Sequence, residues 1–291
     1  VIYDINHLTV YTYEASVAST RCALRLIPRE SVGQKLLRGA INILPEPDLF
    51  SERVDFFGNH VADVMVRKPH SKLCIELNAL VEVMRPEPPV FARTLPWETA
   101  ARAALSMSSL SNTSPVHWLY PSRHVYLDQE ITSYAGESFH SARPILEAAD
   151  EFMRRIKQDF IYDPKSTDVA TPLLESFKTR RGVCQDFAHI MLSGLRGLGL
   201  PAAYVSGYIR TIPAPGQPHL EGADASHAWV ALWCGEASGW VHLDPTNALI
   251  VKDDHIVVAL GRDYADVSPI DGIIVSSGKQ ELDVSVTIKA V

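Results

Sequence analysis

The stretch that decides how this chain is read is Arg180-Arg181-Gly182-Val183-Cys184-Gln185-Asp186-Phe187-Ala188-His189. A glycine delivers a cysteine to the start of an apolar-periodic segment. Phe187, Met191, Leu195 and Leu198 recur at helical spacing, and Gly197, Gly199 and Pro201 supply a stop. The spacing predicts a helix from Cys184 to Leu198, with the cysteine in its first turn. Unpaired backbone N–H groups and the positive end of the helix dipole favour an anion at such a position, which is how a thiol becomes a nucleophile. The competing reading is a cysteine that packs as a small apolar residue.

Two downstream segments weigh against simple packing. Ser226-His227-Ala228-Trp229-Val230 and Trp240-Val241-His242-Leu243-Asp244-Pro245-Thr246-Asn247 read as strands joined through Gly235 and Gly239. Alternation puts His227 on one face with Trp229 and Trp233, and Asp244 on one face with His242 and Trp240. If the connecting loop holds an even number of residues, those faces coincide. Asp244 then accepts from one imidazole nitrogen of His227 and leaves the other for Cys184. Nucleophile, base and a group that orients the base form the constellation that thiol catalysis needs.

These motifs carry a resemblance. Gly182 to His189, then His227-Ala228-Trp229-Val230, then Leu243-Asp244-Pro245-Thr246-Asn247, in that order, resemble the core of the transglutaminase-like superfamily. More narrowly, the chain is similar to bacterial transglutaminase-like and cysteine-protease-like proteins with an extra N-terminal β domain. Tyr3-Asp4-Ile5-Asn6-His7 and Cys22 to Arg29 look like that domain. The resemblance covers nearly the whole chain and implies an α+β fold: an N-terminal antiparallel β-sandwich, then a papain-like core whose helix-borne cysteine packs on an antiparallel sheet. It also implies a catalytic triad of Cys184, His227 and Asp244. The superfamily includes proteases, amidases, amine acyl-transferases and inactive members, so the reaction is not fixed by it.

The rest of the chain fits two domains. Residues 1–85 are strand-rich, most clearly from Leu73 to Val83, where every odd position is apolar. Leu8 to Tyr13, Arg21 to Ile27 and Ala40 to Leu44 are further strands, and Val54 to Phe57 pairs with Val61 to Val66 around Gly58-Asn59. The proline-rich stretch within residues 86–96 reads as a stiff linker. In residues 97–291, helices are expected over Trp97 to Ser108, Ile145 to Phe160 and a short turn at Leu173 to Phe177. Ser109 to Ser141 is poorly periodic. Pro213 to Pro218 is a loop leading into His227, and Leu282 to Ile288 alternates and is expected to close the sheet of the core.

Composition narrows the function. Of 291 residues, 46% are hydrophobic and 21% charged, an ordinary globular balance. No apolar run approaches the ~18 residues of a membrane span. Val1 to Asn6 show no basic segment followed by an apolar one, which gives the expectation of no leader and a cytoplasmic location. A net charge of -7 argues against a nucleic-acid partner. The four cysteines, Cys22, Cys74, Cys184 and Cys234, have no disulfide-framework or C-x-x-C spacing and read as reduced thiols. A metal cluster drawn from Cys184, His189, Cys234 and His242 matches ligand patterns weakly, and no calcium loop is present, so no metal or cofactor is expected.

The chemistry expected is attack of Cys184 on a peptide or protein amide, with His227 moving the proton and Asp244 orienting the ring. The Cys184 backbone N–H is the expected first oxyanion donor, and Gln185, Tyr204 and Trp229 are candidates for the second. Hydrolysis of peptide or isopeptide amides is favoured because water is always present. Transfer to an amine and a non-catalytic scaffold are the alternatives.

Overall fold

The computed structural model describes residues 1–168, 170–210, 225–275 and 278–291. The expected loop at 213–218 lies outside the described residues.

Six strands come first: β1 (Ile2–Val17), β2 (Ser19–Leu24), β3 (Gln34–Leu44), β4 (Leu49–Val54), β5 (His60–Val66) and β6 (His70–Val83). Strand β6 follows its sequence pattern: Leu73, Ile75, Leu77, Ala79, Val81 and Val83 are buried and the intervening positions are not. The β4–β5 hairpin forms as expected, but β4 ends at Val54. The Asp55 carboxylate accepts the N–H groups of Phe57 and Asn59, both at 2.9 Å, and folds the next residues into a turn.

Helices follow. α1 (Trp97–Leu105) and α3 (Ile145–Asp159) lie where periodicity put them, but α2 (Gln129–Gly136) occupies the stretch that looked aperiodic. Asp128 caps α2 by accepting from the N–H groups of Glu130 and Ile131. Next come β7 (Ile161–Tyr162), α4 (Leu173–Thr179), β8 (Arg181–Gly182), which pairs with β7 in parallel, and α5 (Cys184–Gly197). Helix α5 is buried along almost its whole length. A Cβ on Gly194 would stand 2.8 Å from both Ala135 of α2 and Phe152 of α3, so a glycine lets three helices meet there.

The buried helix packs on a five-stranded antiparallel sheet built from β9 (Ala202–Ile209), β10 (Ala225–Trp233), β11 (Trp240–Asp244), β12 (Leu249–Ile250) and β13 (His255–Gly261), in the order β12-β11-β10-β9-β13. This is the α+β core, with the cysteine helix on one face of an antiparallel sheet. After the short α6 (Tyr264–Val267) the chain leaves the core.

The expectation that the last strand closes the core sheet is corrected here. β14 (Ile270–Val275) pairs with β2, and β15 (Gln280–Ala290) pairs with β1 from Tyr3↔Ala290 to Tyr13↔Gln280. The N-terminal layer is therefore two four-stranded antiparallel sheets, β15-β1-β6-β3 and β14-β2-β5-β4, each completed by a strand from the C-terminal end. The residue range 97–291 thus supplies strands to both layers. Alternation reveals a strand and its faces but not its partner, and β1 would otherwise present an open edge. Among the described residues no helix is long and apolar enough to cross a membrane.

Candidate active site

The start of α5 is held by one carboxylate. Asp186 accepts from the Val183 N–H at 2.8 Å and the Thr167 hydroxyl at 2.7 Å through Oδ2, and from the Ser176 hydroxyl at 3.0 Å through Oδ1. It ties the preceding loop, α4 and the first turn of α5 together. Gly182 makes this possible, because a Cβ there would sit 2.6 Å from Asp186 Oδ2. The two arginines before it serve the scaffold. Arg180, with φ of 55°, stacks its guanidinium over Phe177, Phe160 and Tyr134, and Arg181 pairs with Asp163. Cys184 is left half-buried at the helix start.

The hairpin satisfies the parity condition. β10 and β11 pair through Val230↔Leu243 to Trp233↔Trp240, so residues 234–239 form the connection and the two faces coincide. Continuing that register puts Trp229 opposite Asp244 and His227 on the diagonal, a neighbour within side-chain reach. His227 Nε2 lies 2.9 Å from Asp244 Oδ2.

Asp244 is fully buried and fully partnered. Oδ1 accepts the N–H groups of Thr246 at 2.9 Å and Asn247 at 3.2 Å; Oδ2 accepts from His227, from His255 Nε2 at 3.0 Å and from Asn247 Nδ2 at 2.8 Å. Burial works against ionisation, yet the hydrogen bonds from His227 and His255, the His227 charge and the Asn247 amide hold this carboxyl well below the usual carboxylate range. For His227 burial disfavours the cation, but the hydrogen bonds to Asp244 and to Cys184 outweigh it and push the ring up to about 10. With Nε2 on Asp244, Nδ1 is the nitrogen left for the Cys184 sulfur. The structure thus brings the three expected residues into one hydrogen-bonded line.

His255 is the member that sequence reasoning missed. It opens β13, on the far edge of the sheet from β11, and only the fold brings it back to Asp244. Gly207, between them on β9, leaves the room: a Cβ there would stand 2.2 Å from the Ile256 carbonyl and 2.4 Å from the Trp229 ring. The Trp229 ring packs 6.1 Å from His227 and edge-on to His255 at 5.1 Å.

His227, Asp244 and His255 offer ligand atoms within 4.8 Å of one another, close enough to hold a metal ion. Both imidazoles stand at hydrogen-bond length from the same oxygen, so a carboxylate with two imidazole donors accounts for the grouping. The other cluster weighed from sequence is not assembled among the described residues. His189 Nε2 accepts from the Tyr264 N–H, and His242 Nδ1 accepts from Trp229 Nε1. That last bond also occupies the Trp229 donor. Tyr204, among the second oxyanion candidates, is buried and close to Cys184: burial first, then the sulfur, drives its hydroxyl well above the usual tyrosine value.

The remaining cysteines differ in access. Burial pushes the Cys22 and Cys234 thiols up to about 11 and about 12, and Cys74 is half-buried like Cys184 but has no imidazole partner among the described residues.

Comparison with known proteins agrees with this architecture. Residues 3–82 match the bacterial transglutaminase-like N-terminal region, and residues 132–245 match the transglutaminase-like superfamily core. An uncharacterized protein of Mycobacterium tuberculosis (strain ATCC 25618 / H37Rv) is 37% identical over 293 residues, covering 98% of this chain and 92% of that protein. A protein-glutamine gamma-glutamyltransferase of Pseudomonas aeruginosa is 42% identical over 72 residues, 24% of this chain and 10% of that protein. The solved structure of a "Putative Cysteine Protease" from Cytophaga hutchinsonii shares the fold, with a TM-score of 0.75 at 17% identity over 99% of this chain and 90% of its own. With its fold, its two family regions and a full-length relative in agreement, the chain belongs to the transglutaminase-like superfamily.

Proposed function

We propose that the chain is a thiol-dependent acyl-transfer enzyme acting on peptide or isopeptide amides through Cys184, His227 and Asp244, with water as the acceptor. The observation that carries this reading is the buried imidazole of His227, held between the Asp244 carboxylate and the Cys184 sulfur and pushed up to about 10. A proton stored on that ring is available to the leaving group.

In this reading the Cys184 sulfur attacks the amide carbonyl while His227 holds the proton. His227 then protonates the departing amine as the tetrahedral intermediate collapses to a thioester. Water, deprotonated by His227, releases the acid and restores the thiol. Asp244 keeps Nε2 protonated and Nδ1 aimed at the sulfur. The Cys184 amide, at the first helical position with no intrahelical partner, is the donor that would meet the oxyanion, with the Tyr204 hydroxyl, whose ionisation the sulfur disfavours, as the second.

Transfer to an amine is the second reading, favoured by the local match to a glutamine gamma-glutamyltransferase. One experiment separates the two: mass spectrometry of a mixed peptide pool incubated with the protein, with and without a primary-amine acceptor. Cleaved or deamidated peptides whose yield the amine leaves unchanged support hydrolysis. Amine-adducted or cross-linked peptides support transfer, and an unchanged pool refutes both.

A further inference from the structure

We infer that His255 is a positioning residue for the His227–Asp244 pair, and that the N-terminal β layer sets its place by gripping β13. The inference deepens the proposed thiol chemistry and rests on that reading.

The site end comes first. His255 and His227 donate to the same oxygen, Asp244 Oδ2, from two different strands of the sheet, at 3.0 Å and 2.9 Å. A carboxylate with one imidazole donor can rotate about its side-chain torsion and still keep it. Two donors on one oxygen, with Asn247 Nδ2 as a third and two backbone N–H groups on the other oxygen, leave a single orientation. The groups that face His255 are Asp244 and His242 from β11, His227 and the Trp229 ring edge from β10, and Arg85 from the N-terminal layer. Burial lowers the affinity of His255 for a second proton by more than the Asp244 carboxylate raises it.

The other end of the chain of contacts lies in the N-terminal layer. Among the described residues β13 is the last strand of the core sheet, so its outer backbone groups have no strand there to pair with. Two buried side-chain amides take that place. Gln34 donates to the Val257 carbonyl at 2.7 Å and accepts from the Val257 N–H at 2.8 Å. Asn59 does the same with Leu260, donating to its carbonyl at 2.8 Å and accepting from its N–H at 2.8 Å. Arg85 donates to the His255 carbonyl at 2.8 Å and the Lys252 carbonyl at 3.1 Å, fixing the residue itself. Each contact is made between a residue before position 86 and either the strand that carries His255 or, at Lys252, the turn just before it. The N-terminal layer therefore reaches the triad through β13 without touching the sulfur.

The test compares His255→Phe, which removes the donor, His255→Gln, whose amide can restore it, and Arg85→Met, which touches neither Asp244 nor His227. Site-resolved alkylation by iodoacetamide is followed from pH 5 to 9, with Cys74 as internal control and circular dichroism as the check on folding. His255→Phe is expected to slow Cys184 labelling at pH 6 by about tenfold, through a proportionally smaller share of thiolate–imidazolium pairs once Asp244 holds the His227 ring less firmly. Cys74 is expected to be unaffected, His255→Gln to recover most of the rate, and Arg85→Met to shift the profile the same way by less. Turnover of a peptide substrate, once identified, falls in kcat rather than rising in KM. An unchanged Cys184 profile in a folded His255→Phe, or no recovery in His255→Gln, overturns the inference. If His255→Phe does not fold, His255→Asn, polar but too short to reach Oδ2, takes its place with the same expected loss. Wild-type Cys184 labelling no faster than Cys74 refutes the thiol-enzyme reading instead.

Discussion

Replacing Asp244 by asparagine changes one atom in the line and reverses its hydrogen-bonding sense. Oδ1 can keep the N–H groups of Thr246 and Asn247, but an amide nitrogen then stands where three donors converge: His227, His255 and the Asn247 amide. His227 can answer by becoming neutral with its proton on Nδ1, facing the sulfur, where it cannot accept the thiol proton. The rise of its ring from an ordinary value of ~6.5 to about 10 corresponds to about 5 kcal/mol in favour of the cation. Without the Asp244 charge, burial dominates and that preference is lost. Breaking one partner of a buried charged pair costs roughly 3–5 kcal/mol of stability, and a base held in the wrong tautomer costs on the order of 10⁴-fold in turnover. Asp244→Asn is therefore expected to lower the urea midpoint and to reduce Cys184 alkylation at pH 6 to the rate of Cys74. A variant that labels at Cys184 as fast as wild type between pH 5 and 8 would refute the reasoning.

Three further expectations follow from the same geometry. His7, hydrogen-bonded to Tyr208 and Thr9, is lowered by burial to about 4, and His189 and His242 to about 3, while their unfolded rings titrate near ~6.5. Below pH 6.5 the unfolded chain binds more protons than the native one, so stability falls with pH, by about 3 kcal/mol for His7 alone at pH 4. Urea unfolding at pH 7 and pH 4.5 measures it, and equal stabilities would contradict it. Gly207→Ala forces a Cβ to 2.2 Å from the Ile256 carbonyl and 2.4 Å from Trp229, an overpacking worth roughly 1–3 kcal/mol, and a melting temperature equal to wild type would count against the packing described. Cys22 and Cys234, buried and with thiols pushed up to about 11 and about 12, are expected to stay unlabelled in the native protein at pH 8 and to label on unfolding, which peptide mapping detects.

Much of the site was legible because it depends on local periods. The Cys184 helix follows from Phe187, Met191 and Leu195, and the meeting of His227 with Asp244 follows from strand alternation and a connection of even length. What could not be read depends on tertiary neighbours. β15 carries a clean alternation that says nothing about whether β1 or the core sheet is its partner. α2 is short, and its helix is decided by the Asp128 cap and by packing of Ile131 and Ala135 rather than by a long apolar stripe. His255 stands in no motif of the sequence; its link to Asp244 exists only once β13 takes the opposite edge of the sheet. Thr167 and Ser176, the partners of Asp186, likewise emerge only from the fold.

The central claim is that the Cys184 sulfur forms a covalent thioester with the acyl half of an amide substrate. The measurement is rapid acid quench of protein mixed with a turned-over peptide, followed by intact-mass and peptide-level mass spectrometry. The account predicts an acyl adduct confined to the peptide containing Cys184 in the wild type, and neither adduct nor turnover in a folded Cys184→Ala. Continued turnover in Cys184→Ala, or an adduct on any other residue, would contradict it.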